Sequence, residues 1–180
     1  MLGPGRQQPT TVDVTLRAFE RGDIDDLRAW ARSPDEVLQW SGLELTWPLT
    51  TDALETYAAS ASPTRLIWSA FLNPGGPHVG HVELNLLPPE HHAAMIARVL
   101  VSPHARGQGV CRSMITDVVR HGFEILGLQR IGLNVFEHNG AAIACYGAVG
   151  FRREALLRAT VIASTGPWST VVMGILATDS

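Results

Sequence analysis

The stretch from Ala94 to Val135 limits the fold more tightly than any other part of the chain. Ala94 to Val101 is an apolar run of strand length. It leads into Arg106-Gly107-Gln108-Gly109-Val110-Cys111, then into an amphipathic run predicted to be helical from Val110 to Leu126, then into a second apolar strand, Arg130 to Val135. A strand, a crossover helix and a second strand in one sheet must place the strands parallel and the connection right-handed. A glycine-rich turn at a helix start leaves backbone N–H groups unpaired, and the helix dipole adds partial positive charge. Gly107 and Gly109 carry no Cβ, so phosphate groups can approach the amides of Gly107, Gln108, Gly109, Val110, Cys111 and Arg112 closely. The plainer alternative is a glycine turn entering a core helix, since Cys111, Ile115, Val118 and Leu126 form an apolar stripe. The two readings are compatible.

The remaining chain reads as strands first and helix-strand alternation later. Val12 to Leu16 alternates as a first strand. Asp23 is a plausible N-cap for a helix with Ile24, Leu27 and Ala31 on one side, ending at Ser33-Pro34. Thr51-Asp52 opens a second helix. The segment between them, 37–48, holds Trp40 and Trp47 and has no clear period. Leu66 to Leu72 is a strand, and 73–77 is a dense turn signal. Val79 to Leu87 is another strand, with Val82, Leu84 and Leu86 on one face and His81, Glu83 and Asn85 on the other. Segments 151–161 and 170–176 are expected to close the sheet as a hairpin.

A chain of 180 residues is most simply one domain with a real core. The expected limits are a loose tail over 1–11, which lacks the apolar stretch of a signal peptide, and a single domain over 12–177. No apolar run approaches the length of a membrane helix. Two cysteines, Cys111 and Cys145, fit a reduced cytoplasmic protein. The net charge of −3 and the lack of a basic, aromatic-rich stripe disfavour nucleic acid. His91-His92 has no evident third ligand, so no metal is expected. Charge is uneven: residues 1–93 hold twelve acids and six arginines, and 94–180 hold five acids and eight arginines. The basic half contains the glycine turn, which suits a polyanion there and a cationic amine at the other half. Chance segregation of surface charge would look the same.

The glycine turn, read together with Asn139, Ala142, Tyr146, Gly150 and Phe151, resembles the GNAT superfamily of acetyl-coenzyme A-dependent N-acetyltransferases. Arg106, Gly109 and Cys111 occupy the three defined positions of the family's pyrophosphate loop, with Cys111 departing from its usual Gly or Ala. Asn139, Ala142, Tyr146, Gly150 and Phe151 meet its Asn-x-x-Ala-x-x-x-Tyr-x-x-x-Gly-Phe segment. The N-terminal part looks like the ribosomal-protein (Rim-type) branch. The resemblance implies an α+β fold: a mixed, mostly antiparallel sheet flanked by helices with one parallel strand-helix-strand crossover. It implies acetyl-coenzyme A as co-substrate, with its pyrophosphate on the loop and its pantetheine arm along Val99, Leu100 and Val101. It implies Tyr146 as the acid for the departing thiolate, and Asn139 and Ala142 as cofactor contacts, although Asn139 also suits a helix N-cap.

The reaction implied is direct attack of a primary amine on the thioester. A glutamate often precedes the phosphate loop in relatives, but that strand has no acid here. Glu83 is the nearest substitute as base, and a solvated strand face explains it as well. Trp40, Glu44 and Glu83 are the candidates for the acceptor pocket, with packing on the sheet edge as the plain alternative for the tryptophan. The acceptor is expected to be a small-molecule amine or a protein N-terminus, and a homodimer is left open. The alternative function is a non-catalytic acyl-coenzyme A-binding domain.

Overall fold

The computed structural model describes residues 12–179. β1 (Val14–Ala18) is followed by three short helices, α1 (Ile24–Trp30), α2 (Pro34–Ser41) and α3 (Thr51–Ala59). Then come β2 (Arg65–Leu72), β3 (His78–Leu86), β4 (Ala93–Val101), α4 (Val110–Arg120), β5 (Arg130–Phe136), α5 (Gly140–Val149), β6 (Arg152–Ala163) and β7 (Gly166–Leu176). The seven strands form one sheet in the order β1-β2-β3-β4-β5-β7-β6. Every neighbouring pair is antiparallel except β4 and β5, which run parallel. This is the mixed sheet with one crossover that segment 94–135 predicts.

Both faces of the sheet are covered. On one, α4 and α5 bury Val82, Leu84, Met114, Ile115, Ile131, Leu133 and Met173. On the other, α1, α2 and α3 bury Leu27, Val37, Leu54, Tyr57 and Ile67. Each fully buried leucine contributes roughly 2–3 kcal/mol through removal from water. The covered second face corrects one expectation. His81 and Glu83 do not face solvent; both are 0 % exposed, beneath the three N-terminal helices.

Those helices also differ from the sequence reading. Ser33-Pro34 does not end the first helix but starts the next. Ser33 Oγ accepts from the Glu36 amide at 3.2 Å, Glu36 accepts from the Arg32 amide at 2.6 Å, and proline occupies the first helical turn of α2, where its missing N–H is no loss. Asp23 precedes α1 but makes no cap bond to it. Its carboxylate instead accepts from Arg17, Ser69 and the Glu20 amide. Burial pushes the Asp23 carboxyl up, but those bonds outweigh it and hold it below its ordinary value. The crossover helix ends sooner than expected, at Arg120, and passes through one wide turn, 121–125.

Candidate active site

The parallel pair is joined over a short distance. Ala93–Ile96 pairs with Arg130–Leu133, and beyond that point the strands part. From Ala97 onward β4 keeps only its β3 partner, and from Asn134 onward β5 keeps only β7. The parting coincides with a bulge in β4, where pairing with β3 slips between His81 and Glu83. At the bulge Arg98 takes a left-handed backbone, φ +49°, which costs a non-glycine residue about 1–3 kcal/mol.

Three contacts hold the bulge. The Trp40 indole Nε1 donates to the Arg98 carbonyl at 2.9 Å. The Arg98 guanidinium donates to Glu83 at 2.6 Å and pairs with Glu44. Arg65 joins the same two carboxylates, and the Tyr57 hydroxyl bonds Glu83 at 2.9 Å. Burial lowers the Arg98 pKa. Two carboxylates thus meet two guanidiniums in one compact network, the arrangement a buried charge requires.

The parted strands form the wall of a cavity of about 760 Å³. Ala97 to Val101 and Asn134 to Phe136 line it, presenting backbone edges that no protein strand fills. At one end lies the glycine turn. Gly107 and Gly109 have φ of +74° and +88°, both line the cavity, and a Cβ built on Gly107 meets nothing within 4 Å. Val110, Cys111 and Arg112 are the first residues of α4, whose amides have no partner within the helix. Among the described residues neither Arg106 nor Arg112 has an acidic partner. Unpaired amides, two unpaired cations and open strand edges together fit an extended, amide-bearing, polyanionic molecule such as acetyl-coenzyme A.

Most of the residues expected at the cofactor line this cavity: Val99, Leu100, Val101, Arg106, Gly107, Gly109, Val110, Cys111, Arg112, Asn139, Ala142 and Tyr146. Gln108 does not, because its side chain turns back to the His104 carbonyl at 2.9 Å. Asn139 caps α5 through a bond from the Ala142 amide while also facing the cavity. Tyr146 is buried, and among the described residues its hydroxyl has no hydrogen-bond partner. Burial holds its pKa well above the ordinary phenol value, so it keeps its proton.

The acceptor expectations fare differently. Trp40 lines the cavity. Glu83 and Glu44 do not; both pair with the Arg98 guanidinium, which does line it. Trp30, Glu36 and Gln39 line it instead. Gln39 is fixed by His138 at 2.9 Å, and Asp35 ties the start of α2 to Ser164 at the β6–β7 turn. Glu36 and Gln39 lie on α2, a helix the sequence reading does not contain. Its signal was present in Ser33-Pro34-Asp35-Glu36, a serine three residues before a glutamate.

A split parallel pair with an anion-binding helix start at its mouth defines an acyl-coenzyme A-dependent transferase. The chain belongs to the GNAT acetyltransferase family, whose domain model, described as "Acetyltransferase (GNAT) domain", matches residues 13–152. It is 31 % identical over 147 residues to YoaA, an uncharacterized N-acetyltransferase of Bacillus subtilis, covering 80 % of this chain and 82 % of that one. It is 27 % identical over 145 residues to a spermidine N(1)-acetyltransferase of Vibrio cholerae, covering 78 % and 80 %. The crystal structure of spermidine N-acetyltransferase from Vibrio cholerae with CoA and spermine superposes with a TM-score of 0.80 at 23 % identity, covering 92 % of this chain and 96 % of that one. The chain is an acetyl-CoA-dependent N-acetyltransferase. No helix among the described residues is long and apolar enough to cross a membrane, and these residues hold no cluster of three metal-ligating side chains.

Proposed function

We propose that the protein acetylates the primary amine of a small molecule bound at the α2 end of the cavity, by direct attack on the thioester. The observation that carries this is one continuous cavity lined by the α4 N-terminus, Tyr146, Trp40 and Glu36. The amides of 107 and 109–112, with Arg106 and Arg112, take the pyrophosphate. The β4 edge at Val99, Leu100 and Val101 pairs with the pantetheine amides, as in strand addition. When bound, acetyl-CoA supplies the activated acetyl group. A β4 backbone N–H then polarises its carbonyl, and Tyr146 gives a proton to the departing sulfur. Glu83 has its lone pairs taken by Arg65, Arg98 and Tyr57, so we assign it to holding the bulge. The amine sheds its proton to water at the open end.

Among the described residues Glu36 is the one carboxylate on the cavity wall, which Trp30 and Trp40 also line. That set suits one ammonium attached to an apolar or flat body. The names of relatives favour small amines. The Rim-type resemblance keeps a protein N-terminus as the second acceptor to test. The two free thiols suit a cytoplasmic setting. The test is thiol release from acetyl-CoA across a panel of monoamines, polyamines and N-terminal peptides. Turnover with a monoamine, with Glu36→Gln raising KM for the amine and sparing KM for acetyl-CoA, supports the reading. Tight acetyl-CoA binding without turnover on any amine would make the protein a binder only.

A further inference from the structure

The thiols of Cys111 and Cys145 have no part in the proposed reaction. Cys111 is the second residue of α4, inside the turn whose amides face the cavity. Cys145 is on α5, immediately before Tyr146. Their sulfurs lie 2.8 Å apart and share a hydrogen bond. Both are partly exposed, and both line the cavity. A disulfide needs an S–S distance of about 2.0 Å, so bond formation requires a shift of under about 1 Å between two helices already in contact.

We propose that Cys111 and Cys145 form a peroxide-sensitive dithiol that closes to a disulfide on the wall of the cofactor cavity and lowers acetyl-CoA affinity. The inference rests on the reading that the α4 N-terminus holds the pyrophosphate. Cys145 is the attacking sulfur. The S–H···S contact with Cys111 pulls its pKa below the ordinary thiol value, against its burial, and the nearby Arg112 charge adds to the effect. The Cys145 thiolate attacks one peroxide oxygen, the O–O bond breaks, and hydroxide leaves; Cys145 becomes a sulfenic acid. The Cys111 sulfur then attacks Cys145, the S–O bond breaks, and water leaves. The net change is two thiols and one peroxide to one disulfide and two waters.

Closing the pair draws the first turn of α4 toward α5. Both helices line the cavity, so the amides at 110–112 and the Tyr146 side chain are displaced together. A bound cofactor in turn covers both sulfurs and screens them from peroxide.

The test uses the whole protein. After dilute hydrogen peroxide, intact mass should fall by about 2 Da and both thiols should become unreactive, with monomers retained on a non-reducing gel. Acetyl-CoA affinity by calorimetry should fall by roughly tenfold, about 1.4 kcal/mol, and return with dithiothreitol. Saturating CoA should slow the mass change. Cys145→Ser should lose the 2 Da shift and keep its acetyl-CoA affinity through peroxide treatment. Mass gains of whole oxygens in the wild type, or linkage between two chains, would overturn the proposal. So would a disulfide that leaves affinity unchanged. In that last case, a Gly109→Asp variant that does lose affinity leaves the pyrophosphate reading standing; one that does not fails that reading instead.

Discussion

Replacing Glu83 with alanine removes the carboxylate that holds Arg65 and Arg98 beneath the N-terminal helices. Its cost follows from the geometry. Glu83 is fully buried, and the two guanidiniums keep side-chain exposures of only 22 % and 13 %. Removing one partner of a buried pair costs about 3–5 kcal/mol. Glu44 remains beside both arginines, which places the expected loss near the lower limit, about 3 kcal/mol. For a chain of this size that lowers Tm by about 8 °C and leaves a folded protein. The bulge at Arg98 loses its anchor as well, so KM for acetyl-CoA should rise while kcat falls less. Urea denaturation gives the stability, and thiol release with an acceptor amine gives the kinetics. The reasoning is refuted if Glu83→Gln and Glu83→Ala keep wild-type stability and both KM values but lose kcat by about 100-fold, with the acidic limb of the pH-rate profile gone. That pattern would make Glu83 the general base.

Gly109→Asp should weaken acetyl-CoA binding by at least about tenfold, since it adds a side chain and a negative charge at the left-handed cap of α4; calorimetry on the folded variant checks it. Tyr146→Phe keeps the ring and its packing but should lower kcat by about 100-fold with little change in KM for acetyl-CoA, provided single-turnover rates show that chemistry is slow. Burial holds the His81 imidazole down to about 3, far below the unfolded value of about 6.5. The unfolded chain therefore takes a proton that the native state refuses, and stability should fall by about 1.4 kcal/mol per unit as pH drops below about 6.5, flattening near pH 3. His81→Gln should lack that component when urea midpoints are compared across pH; parallel curves for the two proteins would contradict it.

The crossover and its glycine turn were legible because local sequence and long-range topology say the same thing there. A glycine turn, a 3.6-residue stripe and two apolar strands each point to one arrangement. The α5 segment was legible for a similar reason: Asn139 is both cap and cavity residue. The N-terminal half was harder. Ser33-Pro34 carries the chemistry of a helix start, yet it follows a helix closely enough to read as its end. His81 and Glu83 alternate with Val82 and Leu84 as a solvated strand would. Only their partners Tyr57, Arg65 and Arg98, 15 to 26 positions away in sequence, make them interior residues. No periodicity within one strand reports a charge balance assembled from two other strands and a helix.

The parting of β4 from β5 has a consequence for the protein's life in the cell. A strand edge with unmet backbone groups is a template for any extended chain, and here two such edges lie inside the molecule rather than at its rim. In the binding mode proposed above, the cofactor completes the sheet. At a cofactor concentration one hundred times Kd, that completion adds about 2.7 kcal/mol of stability, a large share of what holds a domain of this size together. Starved of acetyl-CoA, the same chain opens more often and offers its seam to proteases and to other chains. Resistance to limited proteolysis should therefore rise when acetyl-CoA is added and fall when it is removed.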